Sequence, residues 1–183
     1  MVFETKQELR PLPPMPIVTV QQNNPFVDGR QSERALSVRR GVERYFHRSG
    51  WATLPEMTLP NGRRADVIAL SSKGEVTIVE IKSSIADFNA DNKWPEYWDY
   101  CDALIFATLT DVPESIFPEE AGFMVADDHG AELLRPSRLQ KLPPARRKSI
   151  HLKFARASAQ RLVRCCLHAG IDSAELAEGD TQA

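Results

Sequence analysis

The chain has 183 residues, 42% of them hydrophobic, and a formal net charge of −2, which suits one packed domain and excludes a membrane protein. No apolar run approaches the roughly 20 residues that span a bilayer, and the N-terminus lacks the apolar core of a secretory signal. The three cysteines, Cys101 and the adjacent Cys165 and Cys166, follow neither a metal-ligand nor a disulfide pattern, so a reduced, cytosolic protein is expected.

Residues 1–30 carry Pro11, Pro13, Pro14, Pro16 and Pro25, too dense a set for helix or ladder, and predict a flexible arm. A first helix follows over Ser32 to His47. Ser32 stands as N-cap, Gly50 lies just beyond the end, and Ala35, Val38, Val42, Tyr45 and Phe46 form one apolar stripe. Three strands are read next, over Thr53–Leu59, Ala65–Leu70 and Glu75–Lys82, with turns at Pro60-Asn61-Gly62 and Ser71–Gly74. The third is rich in β-branched residues and apolar on both faces, as a central covered strand requires. Ser84–Tyr100 reads as an interrupted helical stretch, with Pro95 at a helix start. Ala103–Thr108 is a buried strand, and Gly122–Ala126 and Ala131–Leu134 form a closing pair. After Pro143-Pro144, residues 145–169 read as a long basic helix, and a short acidic tail follows over 171–183. The order α-β-β-β-α-β-β-β-α predicts one mixed α/β domain over 31–142, a central sheet flanked by helices, with the basic helix of 143–170 on or beside it.

Charge is divided along the chain. Residues 31–134 hold 10 Lys/Arg against 18 Asp/Glu, a net of −8, whereas residues 135–170 hold 10 Lys/Arg and no carboxylate, a net of +10. An acidic part suited to metals therefore precedes a basic part suited to phosphates. In the basic helix Arg146, Arg147, Lys148, Lys153 and Arg156 are the expected DNA-backbone contacts, which position a protein without reading sequence.

The chemistry is concentrated in the third strand. Glu80 and Lys82 are two residues apart, so strand geometry points both to one face and Ile81 to the other. Charges inside an apolar strand are costly unless satisfied. A hairpin turned near Ser72-Lys73-Gly74 sets Asp66 opposite Glu80. Two carboxylates and an ammonium then converge, which is what Mg²⁺ (or Mn²⁺) needs to hydrolyse a phosphodiester. Asp66, Glu80 and the Ile81 carbonyl would supply ligands, with Lys82 orienting the attacking water. Glu43 on the first helix and Glu56 on the first strand are further acidic candidates. Ser83, Lys93 and Tyr97 are auxiliary candidates beside the site, and Trp94 or Trp98 either stacks on a base or packs on the sheet.

These residues resemble the PD-(D/E)XK, or restriction endonuclease-like, superfamily. More narrowly, RRADVIAL (63–70), VEIKSSIADFNADNKWPEYWDYCD (79–102) and the ALIFA strand that follows resemble the MmcB family of bacterial DNA repair proteins. Ala65 stands where the superfamily usually has Pro. The resemblance implies a nuclease-like fold, Mg²⁺ dependence and a role in DNA repair, with damaged, branched or single-stranded DNA as substrate. It leaves room for other repair proteins as partners, for a homodimer, and for work at the nucleoid. The competing readings are a non-catalytic DNA-binding adaptor on the same fold and an RNA-processing nuclease.

Overall fold

The computed structural model describes residues 32–91 and 93–172. The proline-rich arm expected over 1–30 and the acidic tail beyond Asp172 lie outside the described residues.

Helix α1 (Glu33–Arg48) forms for the reasons its ends suggest. The Ser32 side chain accepts a hydrogen bond from the Ala35 N–H, Glu33 occupies the first turn, and His47 and Arg48 occupy the last. Val38, Val42 and Phe46 are buried against the sheet. Gly41 sits where the helix crosses the turn between the last two strands. A Cβ there would come within 2.3 Å of the Asp127 and Gly130 carbonyl oxygens, so only glycine admits this approach.

The strands are β1 (Ala52–Thr58), β2 (Arg64–Leu70), β3 (Val76–Ile81), β4 (Ala103–Thr108), β5 (Gly122–Asp127) and β6 (Gly130–Arg135). They form one sheet in sequence order. The pairs β1–β2, β2–β3 and β5–β6 are antiparallel, whereas β3–β4 and β4–β5 are parallel. Every residue of β3 and β4 is buried, as expected of central strands covered on both faces. In the β2–β3 hairpin Val67 faces Val79, and the same register sets Asp66 opposite Glu80.

The interrupted stretch between β3 and β4 resolves into helix α2 (Ile85–Ala90) and a 3₁₀ helix, Trp94–Tyr100. Asp91 separates them by accepting the Lys93 N–H, and Pro95, which lacks a donor, stands in the first turn of the second. A one-turn 3₁₀ helix at Glu114–Ile116, not anticipated from the sequence, helps return the chain from β4 to β5.

Side chains alternate between two apolar layers. Val67, Ala69, Val79, Ile81, Ile105 and Ala107 pack under α1. Ile68, Val76, Ile78 and Leu104 pack on the other face, against Tyr97 and Cys101 and against Ile150 and Phe154 of helix α3 (Pro144–Ala169). A third, aromatic cluster joins Phe88, Phe106, Phe117 and Phe123. Trp94 meets Phe106 edge-on at 5.7 Å, and the Arg138 guanidinium covers Trp98 at 4.5 Å.

Asp102 ties α3 to the sheet. Its carboxylate accepts the Val76 and Leu142 N–H groups and a two-point contact from Arg147, at 2.6 and 2.9 Å. Arg147 also donates to the Gly74 carbonyl, closing the link to the β2–β3 turn. Removing one partner of a mostly buried pair strands the other. Asp102→Ala is expected to lower stability by about 3 kcal/mol in urea denaturation, with α3 losing protection in hydrogen exchange.

Candidate active site

Beyond Val67 and Val79, β2 and β3 cease to pair as a regular ladder, and carboxylates take up backbone donors at the fork. Asp66 Oδ2 accepts the Ile81 N–H at 2.8 Å, and Glu80 Oε1 accepts the Asp66 N–H at 3.3 Å. The two acids therefore lie side by side, each held by the backbone of the other strand. The second oxygen of each accepts no hydrogen bond from the described residues.

Burial raises the Asp66 pKa from 3.8 to about 6, and the Ile81 N–H and the Lys82 charge offset only part of that effect. Glu80 is pushed well above its ordinary value, first by burial and then by the neighbouring Asp66 charge. A buried carboxylate and a half-buried one side by side thus tend to retain a proton between them. Such a pair is short of positive charge.

Lys82 adjoins them but answers to a different partner. Its ammonium meets Asp91 Oδ2 at 2.5 Å, with the lysine side chain only 5% exposed. Burial works to lower the Lys82 pKa, yet the Asp91 hydrogen bond and the charges of Glu80, Asp91 and Asp66 outweigh it and keep the ammonium protonated. Asp91 was not singled out from the sequence. It lies nine residues beyond Lys82, past α2, and only the fold brings it back. Its other oxygen accepts the Lys93 N–H at 2.9 Å.

Glu56 borders the pair on the other side. It has a left-handed backbone (φ 52) at the point where β1 would oppose Asp66, and its side chain contacts Arg64 Nε at 2.5 Å. Its charge is felt at Asp66. Arg161 of α3 donates to the Pro55 and Glu56 carbonyls and so braces this irregular turn of β1. The Tyr97 hydroxyl donates to the Arg64 carbonyl at 3.2 Å, and burial together with Glu80 and Asp66 keeps its phenol protonated. Ser83 turns to Asp87, donating through its N–H and its hydroxyl at 2.9 and 3.0 Å. Lys93 is exposed next to Asp91.

Glu43, expected as a further metal ligand, does not join the cluster. Helix α1 lies on the opposite face of the sheet from Glu80, because Val38, Val42 and Phe46 pack on Val79 and Ile81. The helix also begins at the site's end of the sheet, where Arg34 bonds to the Ser83 carbonyl and to Asp111. Glu43 lies about 13 Å further along it. Burial raises the Glu43 pKa, and Arg39 is the charge that opposes the rise.

Among the expected DNA contacts, Arg146 pairs with Asp99, Arg147 with Asp102, and Lys153 donates to the Leu59 carbonyl at 3.1 Å. Lys148 and Arg156 point to solvent. The long basic run therefore divides into groups that fasten α3 to the domain and groups that face outward.

Among the described residues, no three His, Cys, Asp or Glu side chains stand together as a ready-made metal cage. Two carboxylates with a nearby backbone carbonyl still fit Mg²⁺, which commonly takes one or two carboxylates and keeps several waters. The raised pKa values of Asp66 and Glu80 and their free oxygens fit the same ion.

A family model described as DNA repair protein MmcB-like matches residues 22–169. Among solved structures, the SPO1766 protein of unknown function from Silicibacter pomeroyi is 37% identical, with a TM-score of 0.73, over 78% of this chain and 97% of that one. No curated protein matches the chain. No helix among the described residues is long and apolar enough to cross a membrane.

The paired carboxylates carry a pH signature. The folded protein binds the Asp66 proton more tightly than the unfolded chain does, so ionisation at this site opposes folding increasingly from about pH 4 to pH 6. Asp66→Asn keeps an acceptor for the Ile81 N–H and removes the charge. It is expected to raise stability at pH 8 by on the order of 2–3 kcal/mol, a gain that fades below pH 4 in denaturation curves taken across that range.

Proposed function

The chain belongs to the MmcB-like family of DNA repair proteins, and from that premise we propose that it is a metal-dependent DNA nuclease whose centre is Asp66, Glu80 and Lys82. The observation that carries this reading is the pair of buried Glu80 and half-buried Asp66, locked across the strand fork and short of positive charge. Helix, three strands, helix and strand around an Asp and a Glu-x-Lys is also the arrangement of the PD-(D/E)XK superfamily, to which we assign the site.

Asp66 and Glu80 would hold Mg²⁺ or Mn²⁺ through their free oxygens, with the Ile81 carbonyl as a further ligand. The ion, when bound, polarises the phosphoryl group and lowers the pKa of its water. Lys82 orients the water that attacks phosphorus and opposes the charge developing on the phosphate as the bond to the leaving sugar oxygen breaks. Asp91 keeps the Lys82 ammonium aimed, and so acts as a positioning residue. Arg64, nearly half exposed beside Asp66, and the exposed Lys93 would meet phosphates flanking the scissile one. Tyr97, protonated and bonded to the Arg64 carbonyl, fixes the β2 end of the site.

One observation favours a second reading, a non-catalytic DNA-binding protein on the same fold. Asp91 already neutralises Lys82 at 2.5 Å. The two readings part on cleavage. Purified protein with Mg²⁺ or Mn²⁺ is expected to cut single-stranded, branched or damaged DNA. Asp66→Ala and Lys82→Ala should each cut at least about 100-fold more slowly while still binding DNA. Cutting by the variants at the parent rate would end the nuclease reading, and binding without any cutting would leave the adaptor.

Metal binding can be checked without substrate. Mn²⁺ at about ten times its dissociation constant stabilises the binding-competent fold by about 1.4 kcal/mol, which raises Tm by roughly 3–5 °C for a domain of this size. The rise should appear in the parent protein and be absent from Asp66→Asn and Glu80→Gln.

A further inference from the structure

Helix α1 stops at Arg48, and Gly50, with φ 73, turns the chain away into β1. Beyond the helix end a cavity of about 270 Å³ opens over Thr77 and Ala103, the paired residues that begin the buried part of β3 and β4. Tyr45, Phe46, Trp51, Leu133 and Leu139 wall it. A wider chamber of about 730 Å³ shares Trp51, Thr77, Ala103 and Leu139 with it and runs out to Lys73 and Lys141. The outer wall is pinned. The Ser137 hydroxyl accepts the Leu104 N–H at 3.1 Å, and the Gln140 N–H donates to the Asp102 carbonyl at 2.9 Å.

Three features of this groove call for a ligand. Thr77 is only 5% exposed, and among the described residues its hydroxyl has no hydrogen-bond partner. Leu139, at the mouth between the two chambers, is 83% exposed. Neither Lys73 nor Lys141 forms an ion pair with a described residue. The carboxylates beside them are Glu75, which accepts the Ser71 hydroxyl, and Asp102, which Arg147 neutralises.

We propose that this groove binds a nucleoside monophosphate, either free or at the end of a strand. The ring would stack in the aromatic inner chamber, a polar atom on its edge would bond to Thr77, and the phosphate would meet Lys73 and Lys141. Chemistry selects this occupant over the alternatives. An acyl chain could fill the inner chamber but would leave the Thr77 hydroxyl without a partner. A carboxylate side chain, from this chain or another copy, could meet the lysines but brings no ring to fill the cavity. A flat anionic surface cannot enter a concave site. Thr77 lies on the opposite face of β3 from Glu80 and near its other end, so the groove's role is independent of whether Asp66, Glu80 and Lys82 cleave DNA.

Calorimetric titration of the full chain in EDTA, where no metal-dependent cleavage can consume the ligand, tests the proposal. The probes are adenosine and thymidine monophosphates, adenosine, inorganic phosphate, octanoate, and a single-stranded oligonucleotide with a terminal phosphate. At least one monophosphate, or the oligonucleotide, is expected to bind more tightly than adenosine, phosphate or octanoate. A preference for the monophosphate would assign the groove to free nucleotides, and a preference for the oligonucleotide to strand ends. Thr77→Val keeps the side-chain shape and should weaken that binding at least about fivefold. Lys73→Gln combined with Lys141→Gln should weaken it at least about tenfold, and Lys82→Ala should leave it unchanged. Both groove variants should keep the parent's circular dichroism spectrum and Tm within a few degrees. Absence of binding by the monophosphates and the oligonucleotide, octanoate or phosphate binding as tightly as either, binding that survives Thr77→Val or the double lysine change, or binding lost with Lys82→Ala would each overturn the proposal.

Discussion

The site depends on one exchange of hydrogen bonds, in which carboxylates replace carbonyls at the fork of β2 and β3. A strand that leaves its neighbour strands backbone N–H groups, and buried donors must be satisfied. Here Asp66 serves Ile81 and Glu80 serves Asp66. The sheet is thereby completed by side chains at the very point where it would otherwise end, and two acids, Glu80 buried and Asp66 half-buried, are fixed side by side. Their raised pKa values follow from that placement rather than from any special property of the residues.

Around the fork, other parts of the fold act as supports. Asp91 returns from beyond α2 to hold Lys82, and Arg161 reaches from α3 to the left-handed turn at Glu56. Asp102 and Arg147 fasten the same helix at the opposite end of the sheet. Much of the basic charge of α3 is therefore structural, which explains how a helix with no carboxylate of its own can lie against the sheet. Its outward charges, Lys148 and Arg156, take no part in that task.

Much of this was legible in the sequence because it rests on short-range rules. Ser32 and Gly50 mark the first helix, β-branched density marks β3, and period-2 geometry places Glu80 and Lys82 on one face. The hairpin register follows from the glycine-bearing turn between two apolar runs. Less legible were features set by layer and distance. Glu43 has the right charge and the right place in the chain order, but the stripe that buries α1 turns the helix onto the wrong face of the sheet. Asp91 sits in a stretch crowded with polar residues, and nothing local separates it from Asp87 or Asp99. The division of α3 into inward and outward cations depends on carbonyls at Leu59, Pro55 and Glu56 that no helical pattern could announce.

The central claim is that the Asp66–Glu80 pair is a divalent-cation site. Anomalous diffraction from crystals soaked in Mn²⁺ tests it most directly. A peak within roughly 2–2.5 Å of an oxygen of each carboxylate, absent from crystals of Glu80→Gln, is the predicted result. Ordered Asp66 and Glu80 side chains with no peak between them at saturating Mn²⁺ would contradict it.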